Sequence, residues 1–449
     1  MFKRKAYESL IRWKAVSQGA TAALIEGARR IGKSTVAERF AQSEYNDYLL
    51  LDFSTEGENV RRLFREDIGN LDSFFRKLFL LKGHSLEPRC SVIIFDEVQL
   101  FPLARQSIKA LVKDGRYDYI ETGSLISIKK NTKDILIPSE EHKIKMYPMD
   151  FEEFLWAKGD DITAPAIRDA FAARRSLGED VHRRIMADFR SYLAVGGMPQ
   201  AVEAFVEGCS FEEIDFVKRT ILSLYEEDLH KYNEEGFNRV SAIFRSIPEQ
   251  LSRHNAQFKF SVVEKAARFK TVAPSIDFLG ESMMVNLCYN VTAPDVLLEL
   301  HADRSNFKMF MGDTGLLVTQ VSRSGPATDD SLYKALIFDK LGTNQGMIME
   351  NMVAQMLVAS GHDLYFHEFK FRPEGSKEEK PYEVDFLLVR GKRLCPVEVK
   401  SSGYKAHKSL DYFFGKYHVK ANERYVLSPK DLSRKENTVY LPLYMAMCL

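Results

Sequence analysis

Short apolar runs bounded by turn residues alternate with helical periodicity through the first third of the chain. AALI at 22–25, DYLLLDF at 47–53, SVIIFDE at 91–97 and YIETGS at 119–124 read as short buried strands. Between them, STVAERFAQS (34–43) and LDSFFRKLFLL (71–81) carry apolar residues at helical spacing. Strands alternating with helices predict a parallel sheet covered on both faces. From Asp150 to Tyr232 the pattern turns helical and aromatic-rich, in FEEFLWAKG, FRSYLAVGGMPQAV and IDFVKRTILSLYEEDL. Asn238–Val321 reads as three helices and then a pair of strands, a three-helix bundle with a wing. From Gly346 to Leu449 an α/β pattern returns, opening with a helix in MIMENMVAQMLVAS. There is no internal repeat, and SRSGPATDDS at 322–331 is the clearest break. The expected organisation is an α/β core over 1–150, a helical lid over 151–237, a winged-helix-like connector over 238–321 and a second α/β domain over 332–449.

Composition narrows the class without naming it. At 449 residues the chain is too long for one simple core, and two to four domains are expected. Lys+Arg and Asp+Glu both total 63, so a nucleic-acid contact must come from a local patch and not from bulk charge. No stretch is apolar for the eighteen or so residues that a membrane span needs, and no signal-peptide h-region follows MFKRKAYESLIRWKAV. The five cysteines are widely spaced with no CxxC, which fits a reducing, cytoplasmic setting and excludes a disulfide framework.

The stretch GARRIGKST follows the first strand and opens the first helix of that alternating pattern, and Gly27, Gly32, Lys33 and Ser34 satisfy GxxxxGK[ST] in full. Glycines there let backbone N–H groups wrap phosphates, the helix N-terminus favours negative charge, and Lys33 reaches the β- and γ-phosphates. Ser34 places a hydroxyl on Mg²⁺, Thr35 follows it at the same helix start, and Arg30 with Arg29 lines the nucleotide entrance. VIIFDE supplies the companion feature: Asp96 to hold the Mg²⁺ shell, and Glu97 to orient or deprotonate the attacking water. Thr122 and Ser124 are placed either to sense the γ-phosphate or to cap the strand end. ATP is the simplest nucleotide. An arginine finger is expected if the protein works as a homo-oligomer, but the sequence singles out none.

The C-terminal segment carries a second constellation. A helix with Glu350 precedes strands at LYFHEFKF, YEVDFLLV and RLCPVEVKSS, followed by a helix at SLDYFFGKY and a strand at RYVLSP. That order is the core of the PD-(D/E)xK nucleases. Asp385 and Glu398 offer oxygen ligands to Mg²⁺ or Mn²⁺, and Glu350 can hold a metal-bound water. Lys400 shares the strand face of Glu398, because side chains alternate with period two, and can orient that water or offset developing charge. Two plainer accounts stay open. Glu398 and Lys400 can be an ordinary same-face ion pair with Asp385 capping a strand, or the fold can serve as a binding module without cutting. Nine Lys/Arg against three acids between Arg390 and Arg424, with tyrosines and phenylalanines interspersed, read equally as a nucleic-acid patch or a solvated face.

In the connector, TVAPSIDFLGESMMV would be the groove-entering helix of a winged helix. It exposes Asp277 and Glu281 and has no basic residue before Val285, so domain packing fits it better than DNA contact. GARRIGKST, FDEVQLFP, TGS, YPMDFEEFLWAKG, YLAVGGMP and FKMFMGDTGLL, in this order, resemble a prokaryotic AAA-type ATPase family akin to the STAND-like ATPases. In that family the ATPase precedes a domain of uncharacterised function containing a restriction-endonuclease-like fold. The resemblance spans essentially the whole chain. It implies an α/β multidomain protein: a P-loop NTPase parallel sheet, a helical lid, a winged-helix-like segment and a restriction-endonuclease-like α/β domain. The expected function is ATP binding and hydrolysis that regulates a metal-dependent nuclease-like domain acting on nucleic acid, DNA before RNA. The alternatives are a nucleotide-controlled switch that binds DNA or a protein without cleaving, and a translocating motor.

Overall fold

Five strands form the first sheet: β1 (Ala22–Gly27), β2 (Asp47–Asp52), β3 (Ser91–Asp96), β4 (Asp118–Ser124) and β5 (Glu141–Lys145). Their order is β2-β3-β4-β1-β5 and every pairing is parallel. β1 and β3 are buried at all six positions, as the uninterrupted apolar runs predict for a sheet covered on both faces. Helices α1 (Lys5–Ser17), α2 (Lys33–Glu44), α3 (Glu58–Glu66), α4 (Leu71–Lys82) and α5 (Pro102–Asp114) accompany it. On one side Phe53, Phe64, Phe95 and Phe101 pack with ring centroids 5.4–5.9 Å apart, a few kcal/mol of apolar burial for each ring.

β5 escapes the apolar pattern because EHKIK buries only Ile144 among its five residues. Its first residue is held instead by charge. Arg105 on α5 donates from Nε to Glu141 Oε1 at 2.8 Å and from Nη2 to Oε2 at 2.7 Å, with both side chains 2% exposed. A fork-to-carboxylate pair fixes position as well as charge, which short polar strands need more than apolar ones do.

The structure is a computed structural model and describes residues 2–124, 136–232, 239–252, 258–262, 268–322, 330–337, 345–417 and 424–449. It divides into two units, Met1–Tyr147 with Glu281–Met283, and Pro148–Gly280 with Met284–Leu449. The second unit opens with helices Phe151–Ala157, Thr163–Ala173, Glu179–Val195, Pro199–Val206 and Phe211–Tyr232. Asp150 starts the first of them with a reciprocal capping box to Glu153.

Three phrases far apart in sequence meet inside this unit. The amide of Met149 donates to the carbonyl of Gly197 at 2.7 Å, and the amide of Gly197 donates to Asp313 Oδ2 at 2.5 Å. Asp313 Oδ1 accepts from the Leu316 amide at 2.9 Å, so its carboxylate also caps the helix Thr314–Val321. A Cβ on Gly197 would lie 2.1 Å from the Met149 carbonyl oxygen, and one on Gly315 would lie 2.2 Å from that of Val195. YPMD, YLAVGGMP and GDTGLL are therefore one backbone-to-backbone joint.

The remaining strands make two sheets. β6 (Val285–Val291), β7 (Ala302–Met311), β8 (Leu364–Phe371) and β9 (Lys380–Val384) form the order β7-β6-β8-β9. β10 (Phe386–Arg390), β11 (Arg393–Val399), β12 (Arg424–Ser428), β13 (Ser433–Lys435) and β14 (Thr438–Pro442) form β10-β11-β12-β14-β13. Helices Gln345–Ala359 and Lys408–Tyr417 belong with them.

Two sequence expectations are corrected here. The strands read as a wing are β6 and β7, yet β6 also pairs in parallel with β8, Tyr289 opposite Tyr365. The pair is thus part of a four-stranded sheet, because β6 has two hydrogen-bonding edges and the chain beyond residue 345 supplies the second. YEVDFLLV, read as one strand, breaks at Asp385: β9 pairs with β8 and β10 pairs with β11. The Asp385 carboxylate turns to accept the Val399 amide at 2.7 Å, and the chain passes there from one sheet to the other. Residues 263–267 of the expected connector, and most of the break at SRSGPATDDS, lie outside the described residues. TVAPSIDFLGE does form a helix, within Phe269–Glu281.

Candidate functional site

The loop Ala28–Ile31 joins β1 to α2. Arg30 and Gly32 have φ of 67° and 89°, so the chain turns through left-handed backbone and Gly32 becomes the N-cap of α2. A Cβ on Gly27 would meet the Met146 carbonyl oxygen at 2.3 Å. Amides of the first helical turn lack intrahelical acceptors, which makes this end of α2 ready for anionic oxygens.

Lys33 is 6% exposed, and its ammonium donates to the carbonyls of Gly27 at 3.1 Å and Ala28 at 2.8 Å. Burial lowers its pKa to about 8, with Glu97 and Asp96 opposing the shift and Arg29 adding to it. Ser34 Oγ donates to Asp96 Oδ1 at 2.7 Å, and Thr122 Oγ1 donates to the same oxygen. The strand order explains that meeting. β4 runs between β1 and β3, so the end that carries Thr122 lies between the loop and Asp96. Glu97 follows Asp96 in left-handed backbone, φ 50°; its amide donates to Thr122 Oγ1 at 3.4 Å and its carboxylate accepts from the Gln99 amide nitrogen.

The predicted residues Gly27, Gly32, Lys33, Ser34, Asp96, Glu97 and Thr122 are thus brought together. Ser124 lies opposite Gly27 in the β4–β1 register, Arg30 is exposed on the loop, and Thr35 is exposed in the first turn of α2.

The second constellation lies in the other unit. Glu350 on the helix Gln345–Ala359, Glu383 on β9 and Asp385 after it each present a carboxylate oxygen, all within 4.8 Å of one another. They line a cavity of about 310 Å³ with Lys308, Lys400, Ser401, Ser402 and residues of two neighbouring segments. Lys308, on β7, is 9% exposed; its ammonium donates to Glu350 Oε1 at 2.8 Å and also to Glu383. Glu398 is 2% exposed on β11, and among the described residues its Oε2 has no hydrogen-bond partner. The amide of Lys400 continues the parallel ladder by donating to the Leu427 carbonyl at 2.8 Å, and its ammonium pairs with Glu398. The same-face expectation for Glu398 and Lys400 thus appears as a direct ion pair.

Charges crowded together shift one another. Burial, then Glu350, raises Asp385 well above the carboxylate range, with Lys308 opposing. Glu383 is raised by burial and by Glu350 and Glu368, again against Lys308. Burial works to lower Lys308, but Glu350, Glu383 and Asp385 outweigh it and hold the ammonium protonated. Lys400 is raised in the same way, with Glu398 and Asp385 outweighing burial.

Glu350 and Asp385 are brought to one cluster as the sequence placed them, while Glu398 is tied to Lys400. Sequence reasoning missed Glu383 and Lys308. Glu383 stands two residues before Asp385 in YEVD, a period-two spacing that put a second acid in view. Lys308 interrupts the apolar strand FKMFM, a cation where a strand interior asks for none.

Residues 20–155 match the family model described as an AAA domain. Residues 186–327 and 345–445 match two further models, each described as a domain of unknown function, DUF8612 and DUF4143. No curated protein matches the chain. Among solved structures, a Walker-type ATPase of Pyrococcus abyssi is similar at 14% identity, covering 72% of this chain and 96% of its own, with a TM-score of 0.42. The RuvB Holliday junction branch migration motor of Thermotoga maritima is similar at 12% identity, covering 63% and 86%, with a TM-score of 0.27. A STAND protein with a tetratricopeptide repeat sensor from Pyrococcus horikoshii is similar at 12% identity, covering 78% and 48%, with a TM-score of 0.26. The N-terminal sheet fits a P-loop NTPase fold, and the AAA-domain match over residues 20–155 supports an ATP hydrolase. Among the described residues no helix is long and apolar enough to cross a membrane.

Proposed function

We propose that ATP turnover in the N-terminal unit regulates a restriction-endonuclease-like site in the C-terminal unit that hydrolyses phosphodiesters, with DNA as the first substrate class to test. The observation that carries this reading is the cluster Glu350, Glu383 and Asp385 with the Glu398–Lys400 ion pair nearby, where, among the described residues, the buried Glu398 Oε2 has no hydrogen-bond partner. Four carboxylates face two ammonium groups, Lys308 and Lys400, so a dication would balance the cluster when all are charged. Carboxylate oxygens at this spacing suit Mg²⁺ or Mn²⁺, with Glu350, Glu383 and Asp385 as holders and Glu398 adding negative charge nearby. A divalent cation held there offsets phosphate charge and acidifies bound water. Lys400 stands ready to orient that water, and Asp385 is held in place by the Val399 amide.

In the N-terminal unit Ser34 and Asp96 would hold the Mg²⁺ that accompanies ATP, and their 2.7 Å contact fits that pairing. Lys33 leaves the loop carbonyls for the phosphates, Thr122 reports on the γ-phosphate, and Glu97 takes the proton of the attacking water.

A second reading has its own observation. Lys400 is already satisfied by Glu398, and Lys308 by Glu350 and Glu383, as in a fold kept for recognition of DNA or a protein without cleavage. Incubation of a labelled DNA and RNA panel with Mg²⁺ or Mn²⁺, with and without ATP, separates the two. In Asp385→Asn, metal affinity and cleavage are expected to fall together by roughly 10- to 100-fold while ATP hydrolysis persists. Lys33→Ala should abolish any response to ATP. An absence of cleavage across the panel with ATPase intact gives the recognition reading its place.

A further inference from the structure

The acidic cluster contains a cation of its own. Lys308 comes from β7, within 186–327, whereas its carboxylate partners Glu350 and Glu383 come from 345–445. Its ammonium touches two of the three acids that could ligate a metal, and it lines the same cavity as the third, Asp385. Glu398, buried and with one oxygen that has no hydrogen-bond partner among the described residues, adds charge close enough to raise Asp385.

A hard divalent cation takes oxygen ligands at about 2.0–2.6 Å. Seated on Glu350 and Glu383, it would occupy the position that the Lys308 ammonium holds, and two cations at contact distance repel strongly in a half-buried site. We infer that Lys308 is a built-in competitor of the divalent cation: its ammonium holds Glu350 and Glu383 when no metal is bound and has to withdraw from them when metal binds. This inference deepens the metal-site reading above and rests on it. The competition sets the site to a low metal affinity, and it makes β7 the element whose displacement decides whether the cluster accepts a dication. Lys400 lines the same cavity, but its ion-pair partner is Glu398 and not Glu350 or Glu383.

The test is Mn²⁺ binding at fixed pH to the full chain, without nucleic acid or ATP, followed by the electron paramagnetic resonance of free Mn²⁺. Lys308→Met is expected to bind Mn²⁺ at least ~10-fold more tightly than wild type, and Lys308→Arg no more tightly than wild type. Equal affinity in wild type and Lys308→Met overturns the competition while the metal site stands. No Mn²⁺ binding in either protein overturns the metal reading and the competition together. A second measurement needs no variant to fold. Amine labelling of wild type, read by mass spectrometry, should rise severalfold at Lys308 on saturation with Mn²⁺. Labelling that stays level at saturation refutes the withdrawal.

Discussion

Glu97→Gln is expected to bind ATP as wild type does and to hydrolyse it roughly 10²–10⁴-fold more slowly. The substitution would remove the proposed base and little else. Gln99 and Thr122 fix the position of residue 97, and glutamine tolerates the same left-handed backbone about as well as glutamate. Lys33→Ala should behave differently, losing nucleotide binding itself, because Lys33 is the buried ammonium beside the loop carbonyls. Phosphate release and titration with a fluorescent ATP analogue distinguish the two. A Glu97→Gln protein that turns over within about threefold of wild type would remove Glu97 from the role of base.

Gly315→Ala is expected to destabilise the C-terminal unit by about 3 kcal/mol or more, near the upper end for overpacking. The added methyl would meet the Val195 carbonyl at 2.2 Å and the Gly196 Cα at 2.7 Å, and backbone cannot rotate aside as a side chain can. Gly415→Ala is the control, since its Cβ meets nothing within 4 Å on the exposed side of the helix Lys408–Tyr417. It should be neutral or stabilising by up to about 1 kcal/mol. Thermal and urea unfolding of both variants checks the difference, and a Gly315→Ala protein as stable as wild type would mean the joint relaxes without cost.

The parts legible in the sequence are those where one local signal suffices. GARRIGKST and the apolar runs AALI in β1 and VIIF in β3 announce the N-terminal sheet, because the interior of a strand covered on both faces stays apolar without alternation. β5 was hidden because its anchor is Arg105, 36 residues earlier, and no period along EHKIK records that pair. YEVDFLLV looked continuous because β9 and β10 differ in which partner they pair with, a fact that lies in β8 and β11 and not in the stretch itself. Lys308 was overlooked for a related reason. Its partners are 42 and 75 residues away, across a boundary that the sequence pattern drew between two domains. The phrases YLAVGGMP and GDTGLL carried the family resemblance without showing why, and the reason is a close approach of glycine backbones that no hydropathy pattern encodes.

The parallel pairing of β6 with β8 bears on ancestry. β6 belongs to the segment matched over 186–327 and β8 to the segment matched over 345–445, and they share one sheet. A recombination event that delivered only the later segment to another gene would leave β8 with a bare edge of amides and carbonyls, the surface on which strands aggregate. It would also leave Glu350 and Glu383 without Lys308. The two segments are therefore one physical unit, and separating them should be tolerated only where a new neighbour supplies a strand for the β8 edge and a cation for Glu350 and Glu383.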